Sequence, residues 1–291
     1  MIFDLINRNR NSVFRKIADF FVFSSLYVAL CAVLMIWQTS RLLLGIPPSG
    51  TLLGFVFFST ICSYNFHWYL TPRCASPSRR VQWTHHHKAL HFILYLTGAV
   101  GAAVYFFYLK PFIPALCFAA LLTFLYSAPK LPQRAFHELR RIAIGKTFFL
   151  AAVWVYVTTV LPVIVAAAPW SVSFFLFTAS RFFLTYAICL VFDYRDRRDD
   201  KAQGILSLIT LLNEKGIDRL FSASVILFFF STIGLSYYHY PAFYILLLLV
   251  PGAILAAIYR KTKHNSSDDL YYIVLDGLMM FSSLLMLIFR I

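Results

Sequence analysis

The stretch VFDYRDRRDDKAQG, Val191–Gly204, gathers four aspartates and three arginines directly behind a long apolar run. The whole chain holds only 12 Asp and Glu, so a third of its acids stand in this one place. At about 3.6 residues per turn, Asp193, Asp196 and Asp200 fall within about 60° of one another on a helix, and their carboxylates share a face. Arg197 lies beside that face and Asp199 further round it. Clustered acids repel one another unless a cation sits among them. Mg²⁺ is usually held by one or two carboxylates together with substrate phosphate oxygens, and neighbouring arginines and lysines would grip the rest of a phosphate. Asp196 and Asp200 are therefore the expected catalytic pair, and Asp193, Asp196 and Asp200 the expected metal ligands. The substrate that suits them carries a diphosphate head on a lipid tail. The same spacing also suits a solvated loop in which Asp and Arg neutralise each other at i,i+3 and i,i+4.

The elements that must position this cluster are apolar. Hydrophobic residues make up 60% of the 291 and charged residues 13%, with a mean hydropathy of +0.73. A soluble domain would carry roughly twice that charge. Runs long enough to cross ~30 Å of hydrocarbon recur, and the pattern predicts nine spans: Phe20–Trp37, Leu52–Leu70, Leu90–Tyr108, Pro111–Leu125, Ile142–Val165, Ser171–Phe192, Leu220–Tyr237, Pro241–Ile258 and Leu270–Phe289. The chain reads as one all-α, integral membrane domain over residues 1–291. With a cytoplasmic N-terminus, only Arg41, Lys110 and Arg290 of the 26 Lys and Arg fall on the opposite side, and Arg181 falls within a span. That is the asymmetry the positive-inside rule demands. It puts the C-terminus across the membrane and the aspartates on the cytoplasmic face. A bacterial inner (plasma) membrane is the expected location. The net charge of +14 reports this orientation and contact with anionic lipids, with no nucleic acid required. The first span lacks a small-residue cleavage site behind its charged leader and reads as a retained anchor.

Other residues with chemical potential are scattered. The 5 cysteines show no paired spacing, which argues against disulfides or a zinc site. The run THHHKALH places His87 and His91 at i,i+4, a spacing that suits a shared metal and equally a polar surface loop. Arg181 and Asp276 lie inside spans, where a charge calls for a partner. Each either finds one within the bundle, the other included, or orients an acceptor headgroup. Lys146, at the start of the fifth span, either meets a diphosphate or marks the cytoplasmic boundary.

The segment KAQGILSLITLLNEKGIDRL follows the aspartates at once. Together they resemble the second aspartate motif of the UbiA superfamily of intramembrane prenyltransferases: D-x-x-x-D, a short gap, Gly, then a hydrophobic T-L segment ending near a Gly. Asp196, Asp200, Gly204, Thr210, Leu211 and Gly216 stand in those places. LYSAPKLPQR, Leu125–Arg134, is similar to the family's Y-S/T-x-P element with basic residues, which brings in Tyr126 and Lys130. Nine spans with an internal N-terminus is also the family's architecture. The resemblance implies a UbiA-like bundle, Mg²⁺ as cofactor, and transfer of an isoprenyl group from its diphosphate to an aromatic or lipid acceptor within the membrane.

Where the family has a first motif, N-D-x-x-D-x-x-x-D, this sequence reads SYNFHWYLTPRCASPSRR. Asn65 matches the leading Asn, but no acid occurs between Asp19 and Glu138. Asn65 and His67 as ligands or donors, and Arg73, Arg79 and Arg80 as phosphate contacts, are the available substitutes. The alternatives are a catalytically silent relative that binds a polyprenyl or lipid phosphate, and a transporter that uses Arg181 and Asp276.

Overall fold

The apolar runs fold as helices, and the breaks fall where the backbone cannot continue one. This computed structural model describes residues 2–71, 78–127, 145–202 and 207–291, and every regular element among them is helical. The first helix, α1 (Ile2–Phe23), stops at Ser24 and Ser25. Ser25 adopts a left-handed backbone, φ 69°, which an L-residue takes as a single break and not as part of a helix. α2 (Leu26–Leu43) starts directly after it. The span expected at Phe20–Trp37 is thereby corrected: its first residues belong to α1, and the apolar crossing begins at Leu26.

The remaining elements are α3 (Gly50–Tyr69), α4 (Arg79–His86), α5 (Lys88–Tyr108) and α6 (Ile113–Ser127). They are followed by α7 (Lys146–Val165), α8 (Val172–Ala202), the short α9 (Leu208–Leu211), α10 (Glu214–Gly234), α11 (Ala242–Thr262) and α12 (Leu270–Ile288). Seven of them, α2, α5, α7, α8, α10, α11 and α12, are long and apolar enough to cross a membrane. α3 and α6 occupy the positions of the other two expected spans.

α8 is the axis of the bundle. It packs between α7 and α10, and Leu184, Ile188 and Val191 join a common core with Trp154, Phe221, Phe228 and Leu275. Its 31 residues extend roughly 46 Å, beyond the ~30 Å of a hydrocarbon layer. The span expected to stop at Phe192 therefore runs on as one helix, and its last turns carry the aspartates. Among the described residues, three π-helical turns interrupt the long helices: Thr39–Leu43 in α2, Tyr156–Val160 in α7, and Leu270–Leu275 at the start of α12. Such turns shift the hydrogen-bond ladder, so that main-chain oxygens come free for other partners.

Candidate functional site

Asp193, Asp196 and Asp200 lie on the emerging end of α8, as the helical spacing predicts. Asp193 and Asp200 are buried. Lys146, the first residue of α7, reaches between them, with Nζ 3.6 Å from Asp193 Oδ1 and 3.9 Å from Asp200 Oδ2. The next residue, Thr147, donates its hydroxyl to Asp193 Oδ2. Asp193 is thus satisfied by protein groups. Asp200 Oδ2 is held less fully, because this buried oxygen has no hydrogen-bond partner among the described residues. Asp196 is about half exposed and accepts from Arg195 Nε through Oδ1 at 2.8 Å. Among the described residues, no three His, Cys, Asp or Glu side chains form a group able to hold a metal ion. Asp196, about half exposed, and Asp200, with one oxygen free of hydrogen bonds, do fit the pair of carboxylates that Mg²⁺ takes alongside phosphate oxygens.

The segment after the aspartates folds back over the end of α8. Ser207 and Thr210 cap α9 reciprocally, each side-chain oxygen accepting from the other's main-chain N–H. Ile209 and Ile217 pack on Leu190 of α8. Asn213 accepts from Gly216 N at 2.8 Å and starts α10. Arg197 holds this fold-back in place. It donates to Leu212 O at 2.7 Å and to Glu214, so its guanidinium is turned away from the carboxylate face it was expected to serve.

The residues at the place of the absent first motif are built into the protein. Asn65 is fully buried at the end of α3 and donates to Ser24 O at 3.0 Å and Ile61 O at 2.8 Å. Its Oδ1 lies 2.7 Å from His91 Nδ1. His87 instead turns to Trp83 O, 2.9 Å from its Nδ1, at the break between α4 and α5. The expectation that His87 and His91 share a metal is therefore not met: the helix does not run continuously through both. The ring of His67 packs edge-on against Trp68. Arg79 is held by Asp269 and, at 3.0 Å, by Asp19.

Arg80 is placed differently. Its main-chain N–H is anchored on Asp268 Oδ2 at 2.9 Å, while its side chain, 3% exposed, enters an aromatic pocket. The guanidinium carbon lies 4.2 Å from the Tyr272 ring centre and 4.3 Å from that of Trp68. Burial pushes this guanidinium below its ordinary pKa, against the opposing pull of Tyr272 and Asp276.

The two intramembrane charges do not meet. Arg181 is buried, and its donors reach Thr39 Oγ1, Thr158 O, Thr159 Oγ1, Met35 O and Gln38 Oε1 at 2.7–3.1 Å. Asp276 instead opens α12 after its π turn, and the charges that act on it are those of Arg80 and Arg195. The suggested Arg181–Asp276 partnership is corrected by these bonds. Arg73 and Lys130, with the side chain of Tyr126, lie outside the described residues. Arg195 and Tyr272 escaped the sequence reading. Arg195 borders Asp196 and resembles a simple counter-charge, and Tyr272 carries no sequence signal beyond two adjacent tyrosines near a buried acid.

Fold and site together define a polytopic, all-α membrane protein with an acid and arginine group at the end of its central helix. The model of the UbiA prenyltransferase family matches residues 70–285, and the chain belongs to that family. It is accordingly a multi-pass membrane protein of the prenyltransferase type. No curated protein and no solved structure matches it significantly.

Proposed function

We propose that this protein transfers an isoprenyl group from its diphosphate to a hydrophobic aromatic or lipid acceptor, with Mg²⁺ held by Asp196 and Asp200. The observation that carries this reading is the buried Asp200 Oδ2, which has no hydrogen-bond partner among the described residues and only the Lys146 ammonium at 3.9 Å, one helical turn from a half-exposed Asp196. A bound Mg²⁺ would neutralise charge on the departing diphosphate. The remaining work falls to the chain. Asp193, fixed by Thr147 and Lys146, keeps Lys146 at the carboxylate face. Phe192, Tyr271, Tyr272 and Trp68 offer apolar surface beside the site, suited to excluding water from an allylic cation. Orientation follows from the basic loops: the aspartates face the cytoplasm of a bacterial plasma membrane, with anionic lipids around them.

A second reading, a non-catalytic relative that binds a lipid diphosphate, draws on Asn65. The one residue matching the lost first motif is occupied by Ser24 and His91.

The test is binding and turnover of geranylgeranyl diphosphate by purified protein in detergent, with and without Mg²⁺, supplied with lipid and quinone-type acceptors. Binding that Mg²⁺ tightens, with the tightening lost in both Asp196→Asn and Asp200→Asn, supports the metal pair. Pyrophosphate release on adding an acceptor establishes transfer, and binding without release under every acceptor selects the second reading. Metal-indifferent binding overturns the Mg²⁺ site.

A further inference from the structure

Beside the aspartates lies a second group, built by α3, α4, α8 and α12. Arg80 enters it from α4 with its guanidinium over Tyr272, Trp68 and, at 5.7 Å, Phe23. Its Nε is buried without a hydrogen-bond partner, and no hydrogen bond from its guanidinium occurs among the described residues. Arg195 reaches the same ring from α8. Its guanidinium carbon is 5.0 Å from the Tyr272 centre and 4.5 Å from that of Tyr271, and Nη2 donates to the Tyr272 hydroxyl at 3.0 Å. The Asp276 carboxylate, which these two arginines act upon, makes no hydrogen bond among the described residues.

A guanidinium buried against aromatic faces gains cation–π attraction, but its five N–H donors still require acceptors. In Arg80 none of those on the guanidinium is used among the described residues. Arg195 has a split allegiance, since Nε is bound to Asp196 and Nη2 to Tyr272. Asp196 is the carboxylate ion-paired with this couple, through Arg195 Nε at 2.8 Å, and neither arginine forms an ion pair with Asp276 among the described residues. A cation taken up by Asp196 and Asp200 would draw Asp196 away from Arg195, leaving the pocket with a net positive charge and a free planar fork of donors. That fork matches two oxygens of a phosphate group.

We infer that Arg80 and Arg195 form a phosphate subsite that needs no metal of its own and takes the phosphate of the isoprenyl diphosphate that Asp196 and Asp200 do not hold. The inference rests on the diphosphate-binding reading above. It gives this chain a protein cation in place of the metal that a first aspartate motif would bring. It also makes Arg195 the link through which Mg²⁺ at Asp196 strengthens anion binding next door.

The experiment uses the full chain in phosphatidylcholine nanodiscs, with inorganic pyrophosphate titrated calorimetrically in excess EDTA and then in Mg²⁺. Wild type binds pyrophosphate in EDTA, and Mg²⁺ tightens the binding. Arg80→Met and Arg195→Met each weaken the EDTA-insensitive binding by roughly tenfold or more, the effect of losing charged hydrogen bonds. Arg80→Lys, which keeps the charge without the fork, falls between; it serves as the readout if the methionine variants do not fold. In Arg195→Met the tightening by Mg²⁺ also shrinks. Absence of binding in EDTA, or arginine variants that bind as wild type does, overturns the subsite. Asp196→Asn and Asp200→Asn that leave the Mg²⁺ response intact, while EDTA-insensitive binding still requires both arginines, sink the metal reading and leave the phosphate subsite standing. The same titration in nanodiscs containing phosphatidic acid separates the sources of phosphate. Unchanged pyrophosphate binding keeps the diphosphate assignment, and displacement by the lipid overturns it in favour of a headgroup.

Discussion

Arg181 Nη1 donates to the main-chain oxygen of Thr158 at 3.0 Å, and that oxygen lies in the π-helical turn of α7. On the other side, Nη2 donates to Met35 O at 2.8 Å, one turn before the π turn of α2. Thr39 Oγ1 bridges the two, since it donates to Met35 O and Thr158 O and accepts from Arg181. A buried cation is therefore solvated by oxygens in and beside two irregular helical turns, with no carboxylate partner among the described residues.

Removing Arg181 should destabilise the bundle without touching the diphosphate site. Arg181→Leu abolishes five hydrogen bonds and leaves two main-chain oxygens short of a donor. At roughly 0.6 kcal/mol for each bond within a membrane bundle, the expected loss is about 3 kcal/mol. Thermal unfolding in detergent measures it. Pyrophosphate affinity per folded molecule should match wild type, because Arg181 lies about 18 Å along α8 from Asp193. A variant as stable as wild type but defective in binding would return Arg181 to the substrate site.

Gly98 is where α5 comes against α3. A Cβ there would stand 2.5 Å from Cys62 N and 2.8 Å from Phe58 O. Both are main-chain atoms within a helix, so no side-chain rotation relieves the clash. Gly98→Ala should cost about 1–3 kcal/mol, the usual penalty for overpacking. Because the same helix pair carries the Asn65–His91 bond, the loss should spread to the end of α3. Cysteine-labelling rates at Cys62 should rise in Gly98→Ala, and an unchanged rate with unchanged thermal stability would show that the pair has room to separate.

The aspartate face was legible because helical geometry alone brings Asp193, Asp196 and Asp200 together, and because apolar length marks α8 on either side of Arg181. The partners of these charges were not legible. Arg181 is held mostly by main-chain oxygens and hydroxyls that π turns place, and no pattern of side chains announces a π turn. Asn65 could be read as a ligand because its bond to His91, 26 residues away, depends on the packing of α3 against α5. The Arg195 bond to Tyr272 spans 77 residues and exists only once α8 and α12 are side by side. Sequence spacing reports what one helix carries. It does not report what a neighbouring helix supplies.

Lys146 competes with any metal for the aspartates, and its removal should show it. Its ammonium lies 3.6 Å from Asp193 and 3.9 Å from Asp200, with the side chain 29% exposed. Two unit charges about 4 Å apart interact by roughly 4 kcal/mol at an effective dielectric of ~20, and partial exposure reduces this. Lys146→Met should therefore tighten Mg²⁺ binding in the absence of diphosphate by about tenfold, an amount within that reduced interaction. Diphosphate binding should move the other way if the ammonium also meets the substrate, since a cation is lost from its path. Calorimetric titration of Mg²⁺ into the variant, with and without pyrophosphate, separates the two effects. Mg²⁺ affinity that stays constant would show that Asp200 and Asp196 hold the metal beyond the reach of Lys146. In that case the lysine's place is to keep Asp193 and α7 fixed against α8.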